Sequence, residues 1–327
     1  MAELNLSEEL DQQIEAIIAG STAPVSVASR SIAPLVSIAA ELRALPREDF
    51  KARLKQDLIR RTTMSTTAAK KTNTIREGFH TITPYLCVRE VHELIDFVKR
   101  AFDAQGTIHG TGSEGGLHSE YKIGDSIVMI GGGEAWRGTP MPASLHVYVE
   151  NADNAYKRAL EAGATSMYAP VDQDYGDREA GIKDLCGNHW FLSTRKGESY
   201  IPEGFHTVTP FVHPHGAARM IEFLKPAFGA EEISRAQSPD GMIQHAVVRI
   251  GDSMLEMGEA HGEWQPMPAT FYLYVDDVDA WYERAVAGGA ISMEEPKDQP
   301  YGDRVGAVKD PFDNVWYIGT TIGESAS

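Results

Sequence analysis

The sequence has little cysteine, no long apolar run and no excess of positive charge. Its two cysteines, Cys87 and Cys186, lack CxxC spacing, which excludes a disulfide framework and a thiolate zinc site. No stretch approaches the roughly 20 consecutive apolar residues of a membrane helix. The first residues, "MAELNLSEEL", also lack a basic region followed by an apolar one. We therefore expect a soluble, cytoplasmic protein.

The 327 residues carry a formal charge of −17 that is unevenly spread. Residues 1–76 have 11 Lys and Arg against 9 Asp and Glu, which leaves 19 against 38 for the remainder. Such an acidic body repels phosphate backbones and anionic lipids, so nucleic acid and membranes are excluded as expected partners. Because acidity also serves solubility, it does not identify a ligand.

Three motifs occur twice at nearly the same spacing. They are "EGFHTITP" and "EGFHTVTP" from Glu77 and Glu203, "IGDS" from Ile123 and Ile250, and "YGDR" from Tyr175 and Tyr301. Two large copies indicate a duplicated domain rather than a solenoid. We predict one domain over residues 73–199 and a second over 200–327, after an N-terminal extension and linker over 1–72.

Within each copy, a pattern of one strand, one helix and three strands occurs twice. In copy one, "TITPYLCV" predicts a strand and "VHELIDFVKRAF" predicts an amphipathic helix. A Gly-Asp turn between "LHSEYKI" and "SIVMI" predicts a hairpin with a two-residue loop. The pattern restarts at "SLHVYV" and continues through copy two. The fold class is therefore α+β, with four βαβββ units and an α-helical N-terminal extension.

The four units, with their endings "YGDREAGIKDLCGNHW" and "YGDRVGAVKDPFDNVW", resemble the vicinal oxygen chelate superfamily. This is the glyoxalase/bleomycin-resistance/dioxygenase fold, and the endings are similar to its PhnB-type branch. The resemblance implies paired βαβββ units whose sheets curve around a cleft, with one cleft in each copy. It leaves function open among isomerases, ring-cleaving dioxygenases, thiol transferases and binding proteins.

The resemblance also implies four strand positions per cleft at which metal-dependent members hold a divalent ion with His, Gln and Glu. Transferred to this sequence, they are Thr83, Met129, Ser144 and Phe191 in copy one, and Thr209, Glu256, Thr270 and Tyr317 in copy two. Only Glu256 is a strong ligand, and one carboxylate does not hold a catalytic metal. We therefore predict no metal and no cofactor in the clefts.

Other polar side chains are candidates for the clefts because alternate residues of a strand share a face. The predicted hairpin turns place His118 and Glu120 with Met129, and His245 with Glu256. His146 is expected to share a face with Ser144 and is a further candidate for the cleft of copy one only. A histidine beside a carboxylate suits a general base or a ligand anchor, although such residues are also common as satisfied sheet positions.

Aromatic residues complete the candidate sites. Trp136 and Trp264 lie in the Gly/Pro-rich connectors of the two copies, where they would stack on a planar ligand. Tyr272 stands at the register of His146 and is a candidate for the second cleft. We expect Trp190 and Trp316 in the core. The Asp-Arg pair of each "YGDR" is expected to fix its loop, with ligand positioning as the alternative.

We predict a metal-independent protein that binds a small organic molecule, such as an aromatic or antibiotic-like one, in its clefts. One alternative is an enzyme of the same fold, a lyase, isomerase or dioxygenase, that uses His118 or His245 with Glu120 or Glu256. Another is a regulatory protein that acts through the amphipathic helices predicted in residues 1–72. Those helices are expected to cover an apolar surface or to form the seam of a homodimer.

Overall fold

The computed structural model describes residues 75–111, 115–197 and 199–322. The helices and linker predicted before residue 74 lie outside these ranges. The described residues form the four predicted βαβββ units. The first contains β1 (Ile82–Val88), α1 (Val91–Phe102), β2 (Gln105–Thr111), β3 (Leu117–Ile123) and β4 (Ser126–Gly132). The second contains β5 (Ser144–Tyr148), α2 (Ala152–Glu161), β6 (Thr165–Asp172), β7 (Asp177–Lys183) and β8 (His189–Arg195).

Copy two repeats this order. Its first unit contains β9 (Val208–Val212), α3 (Ala217–Phe228), β10 (Glu231–Gln237), β11 (Ile243–Ile250) and β12 (Ser253–Met257). Its second unit contains β13 (Thr270–Tyr274), α4 (Val278–Ala287), β14 (Ile291–Asp298), β15 (Asp303–Lys309) and β16 (Val315–Thr321). Among the described residues, no helix is long and apolar enough to cross a membrane.

The sixteen strands form two sheets of eight, and each sheet joins one unit from each copy. Sheet A has the order β14-β15-β16-β13-β1-β4-β3-β2, and sheet B has the order β10-β11-β12-β9-β5-β8-β7-β6. The joins are the antiparallel pairs β1 with β13 and β5 with β9. The expectation of one cleft within each copy is therefore wrong, because every sheet face is completed by the other copy.

The helices lie between the two sheets, since α1 packs on α2 and α3 packs on α4 while each also covers its own sheet. Strand alternation follows from this arrangement. In β5, for example, Leu145 and Val147 belong to the apolar core, whereas His146 points to the opposite, helix-free face. The fully buried Trp190 and Trp316 confirm the core prediction, with ring centroids 4.9 Å from Phe102 and 4.8 Å from Phe228.

The repeated chain endings are structural. Asp184 accepts hydrogen bonds from the Asn188 amide and from Trp190 Nε1, which lie 2.9 Å from its Oδ2. Asp310 binds Asn314 and Trp316 in the same way, at 2.8 and 2.9 Å. The "YGDR" arginines are structural too. Arg178 donates to Asp153 at the start of α2 and to Asp172 at the end of β6.

Replacing Asp184 with alanine should lower the free energy of unfolding by about 1–3 kcal/mol, because buried donors of Asn188 and Trp190 lose their acceptor. Urea denaturation of the variant and of a control, in which the exposed Asp174 is replaced with alanine, measures this effect. Equal stability of the two variants would show that the hydrogen bonds do not hold the loop.

Candidate functional site

Four charged or polar side chains meet on the helix-free face of sheet B, one each from β5, β7, β11 and β12. We call His146, Glu179, His245 and Glu256 the sheet B network. His146 Nδ1 lies 2.9 Å from Glu256 Oε2, and His245 Nε2 lies 3.2 Å from Glu256 Oε1. His146 Nε2 lies 3.3 Å from Glu179 Oε2 without hydrogen-bond alignment, so this contact is an ion pair only.

Three members of the network, His146, Glu179 and Glu256, are buried and charged. Burial by itself lowers the pKa of His146, but the fields of Glu256 and Glu179 outweigh it and raise that pKa to about 10. Burial likewise raises the pKa of Glu256, yet His146 and His245 bring it down to about 2. An imidazolium therefore lies between two carboxylates at neutral pH.

Glu179 is fixed by three further hydroxyl donors. Tyr168 Oη donates at 2.5 Å, Tyr175 Oη at 3.0 Å and Ser193 Oγ at 3.1 Å. Burial raises the pKa of Glu179, but His146 and the two tyrosines more than offset this, so the pKa is lowered. The carboxylate is thus ionised and held in one orientation.

Aromatic rings surround the accessible end of the sheet B network. The Trp264 ring stacks on His213 with centroids 5.5 Å apart and lies 5.8 Å from Phe191. Burial lowers the pKa of His213 to about 4, so its imidazole is neutral. The side chain of His245 is 43% exposed, against 3% for Glu256, and lies 6.0 Å from the ring of Phe211. A ligand would therefore meet His245 and the partly exposed Phe211 and Trp264 rings before the buried Phe191 and His213.

Sheet A carries a different network on its helix-free face. Arg76 donates two hydrogen bonds to Glu120, at 2.8 and 3.2 Å, and the Nε2 atoms of His118 and His109 lie 3.4 and 3.2 Å from the same carboxylate. Tyr85 Oη is 3.0 Å from His118 Nδ1. Burial raises the pKa of Glu120, but His118 and Arg76 lower it to about 2. We call these residues the sheet A network.

The two networks place their carboxylates at the same cross-strand position. Glu120 faces Met129 across β3 and β4, while Val247 faces Glu256 across β11 and β12. In copy one the acid lies on β3 and the apolar residue on β4, whereas in copy two the apolar residue lies on β11 and the acid on β12.

The predicted candidates divide between the two sheets rather than between the two copies. Sheet B brings together His146, His245, Glu256 and Trp264, whereas sheet A holds His118, Glu120 and Tyr272. The expectation that His146 faces a cleft formed by copy one, and Tyr272 a cleft formed by copy two, was wrong. The reason is that β5 pairs with β9 and β1 pairs with β13. Trp136 packs against Arg89, whose guanidinium lies 5.3 Å from its ring.

The strand register also corrects two of the transferred metal positions. His146, not Ser144, stands opposite Thr209, and Tyr272, not Thr270, stands opposite Thr83. Each pair lies two residues apart on one face, so the pattern alone does not separate them.

The corrected positions do not fit the metal that the fold family implies. Thr209 and Phe191 occupy two of the four positions in sheet B, and neither is a strong ligand. Glu256 and Glu179 contact opposite ring nitrogens of His146, so no single point lies at bonding distance from all three. In sheet A, Thr83, Met129, Tyr272 and Tyr317 offer no strong ligand.

Sequence reasoning missed Glu179 and Arg76. Glu179 follows the first "YGDR" at a position where copy two has Val305, and Arg76 precedes the first "EGFH" where copy two has Pro202. The available signal was a charged residue in one copy at a position where the aligned residue of the other copy is uncharged.

Comparison with known proteins agrees with this architecture. The family model of the Glyoxalase/Bleomycin resistance protein/Dioxygenase superfamily matches residues 215–318. An uncharacterized protein of Mycobacterium bovis is 35% identical over 132 residues, which are 36% of this chain and 87% of that protein. One of Mycobacterium tuberculosis shares the same identity over 36% of this chain and 78% of its own length.

Solved structures show the same fold at low identity. Glyoxalase I from Zea mays superposes with a TM-score of 0.57 at 13% identity, over 73% of this chain and 92% of its own. A Bacillus subtilis protein described as a candidate dioxygenase superposes with a TM-score of 0.52 at 14% identity, over 77% of this chain and 88% of its own. The PhnB-type branch stays a prediction. The chain belongs to the glyoxalase/bleomycin resistance/dioxygenase superfamily, the vicinal oxygen chelate fold.

Proposed function

We propose that the protein binds a small organic molecule with a planar aromatic group on the helix-free face of sheet B, without a metal ion. The observation that carries the proposal is the pairing of an accessible imidazole with partly exposed aromatic rings. His245 is held by the buried Glu256, and the Phe211 ring lies 6.0 Å from it. Phe211 contacts His213, on which the Trp264 ring stacks.

Each part of this surface has a clear role in binding. Stacking on an aromatic ring contributes about 0.5–1.5 kcal/mol beyond area burial. The imidazole of His245 supplies a hydrogen bond that fixes orientation. Because Glu256 is itself held by His146, His245 loses little freedom when a ligand arrives, which favours affinity.

An enzyme of the same fold is the second candidate, and the His245–Glu256 pair favours it. The Glu256 carboxylate lies 3.2 Å from His245 Nε2 and orients the ring, and a general base must be positioned in this way. Binding without conversion separates the two candidates, because an enzyme releases a changed molecule and a binding protein returns the original one.

Native mass spectrometry of freshly purified protein should first identify any co-purifying molecule. Calorimetric titration with indole and with 1-naphthol should then show saturable binding that EDTA does not alter. Replacing Trp264 with leucine should weaken binding by roughly five- to tenfold through lost stacking. Trp136→Leu is the matched control and should leave the affinity unchanged.

Two results would count against the proposal. Equal loss in both tryptophan variants would place the ligand elsewhere. Loss of binding in EDTA that added zinc restores would show that the site depends on a metal.

A further inference from the structure

The segments "FHT" and "GDS", which occur in both copies, contact each other across the copies. The backbone N–H of Thr207 donates to Asp125 Oδ1 at 2.8 Å, and the N–H of Thr81 donates to Asp252 Oδ1 at 2.7 Å. Gly124 and Gly251 precede these aspartates at φ +59°, and a side chain at either would meet the threonine of the other copy. Copy one and copy two are therefore joined by two equivalent turns.

Two histidines lie between these turns. The rings of His80 and His206 stack with centroids 3.4 Å apart and planes 13° apart. We call His80, Asp125, His206 and Asp252 the clasp. At the Asp125 end, His206 Nδ1 is 3.4 Å from Asp125 Oδ2, and His80 Nε2 is 3.2 Å from the Asp125 carbonyl oxygen.

The separation of His206 Nδ1 from Asp125 Oδ2 is long for a charge-assisted hydrogen bond, which is usually about 2.7–2.9 Å. It matches the distance between neighbouring ligands of a tetrahedral zinc ion, which is about 3.3–3.4 Å for bonds of about 2.0–2.1 Å. One ligand atom from each of His80, Asp125 and His206 lies within 4.8 Å of the other two. Within the described ranges, this is the group of His, Cys, Asp and Glu that meets that spacing.

The donor set suits a transition metal. It offers two imidazole nitrogens, one carboxylate oxygen and a backbone carbonyl, which is a combination that zinc accepts. Asp125 Oδ1 is engaged by Thr207 N and Ser126 Oγ, which hold the carboxylate so that Oδ2 remains for an ion. The side chains of His80, His206 and Asp125 are 18%, 21% and 48% exposed, so an ion reaches them from solvent.

We propose that His80 Nε2, His206 Nδ1 and Asp125 Oδ2 bind one divalent transition metal ion, with Zn²⁺ as the best fit, at the join between the copies. The lone pair of an imidazole nitrogen lies in the ring plane, so the two rings turn out of their parallel stack when the ion binds. Any proton on the two ligating nitrogens leaves as the metal–nitrogen bonds form. The site lies apart from both sheet networks and stabilises the contact between copies.

The test uses the full chain, without an affinity tag and freed of metal by EDTA and dialysis. Calorimetric titration with ZnCl₂ at pH 7.5 should show one ion per chain, and CoCl₂ should give the intense visible bands of tetrahedral cobalt. His206→Asn should abolish both signals. His92→Asn, which removes an exposed imidazole from α1, is the matched control and should keep them.

Asp125→Asn provides a second test, because the amide oxygen still accepts from Thr207 while the charged ligand is lost. Circular dichroism verifies that each variant is folded. Loss of zinc binding in both variants, with the control unchanged, supports the site. No zinc binding by the wild-type chain would overturn it, as would binding that survives His206→Asn. Thermal stability of the wild-type chain that does not change with added zinc would also overturn it.

Discussion

Replacing Glu256 with alanine is expected to lower the free energy of unfolding by about 3–5 kcal/mol, because it leaves the imidazolium of His146 buried without its closest partner. The Glu256 side chain is 3% exposed and that of His146 is 9% exposed, so water does not compensate. Urea denaturation at pH 6 measures the change. A loss below about 1 kcal/mol, the range of surface ion pairs, would contradict the charged state inferred for this network.

The double variant Glu256→Ala, His146→Leu is the control for this prediction. Removing both charges leaves no unpaired imidazolium, so the double variant should be more stable than Glu256→Ala alone. Glu179 keeps Tyr168, Tyr175 and Ser193 as donors in that variant. A double variant that is less stable than the single one would indicate that packing, not charge, accounts for the loss.

The pH dependence of the same stability difference has a defined sign. The pKa of His146 rises on folding from 6.5 to about 10, so its contribution is fully present below pH 6.5 and is lost as pH rises towards 10. The pKa of Glu256 falls on folding from 4.5 to about 2, so its contribution is present above pH 4.5 and is lost as pH falls towards 2. The difference in unfolding free energy between wild type and Glu256→Ala should therefore be largest between pH 4.5 and pH 6.5. It should become smaller as the pH moves above or below that range.

Separating the copies should have the largest effect. When residues 1–199 and 200–327 are expressed as two chains, each should fail to form a stable monomer. The reason is that β1 and β5 lose the partners β13 and β9, which leaves the middle of each sheet as an open edge. Co-expression should restore a one-to-one complex, which light scattering after size-exclusion chromatography detects.

The separate chains provide the control, because either one alone should aggregate or self-associate. Two folded monomers that stay apart on mixing would contradict the pairing of strands across copies. A complex that forms but lacks the sheet B network would show instead that the join is less specific than its hydrogen bonds indicate.

Much of the fold followed from the sequence. The Gly-Asp turns predicted Ile123 opposite Ser126 and Ile250 opposite Ser253, and the strand register confirms both pairs. That register also puts His118 and Glu120 on one face, because side chains alternate along a strand whatever the rest of the chain does. Local periodicity was sufficient for these predictions.

The pairing between units did not follow from the sequence, because nothing local distinguishes β9 of the other copy from β1 of the same copy as the partner of β5. That ambiguity placed His146 in a cleft of copy one, whereas its side chain meets Glu256 of the other copy. It also hid the contact between "FHT" and "GDS" across the copies, since the sequence indicated only the repeat alignment and the hairpin turns. Glu179 was missed because an acid within a strand has no periodic signature of its own.

Because each sheet contains strands from both copies, the helix-free faces of sheet A and sheet B can differ in chemistry within one chain. A shorter chain with one copy would build the same pair of sheets only by associating with an identical chain, and every substitution would then occur on both faces. Covalent duplication removes that constraint. The result is that Glu256 stands opposite Val247 in sheet B, whereas Glu120 stands opposite Met129 in sheet A. Selection has been able to change one face while leaving the other intact, so a single molecule carries two surfaces of different chemistry.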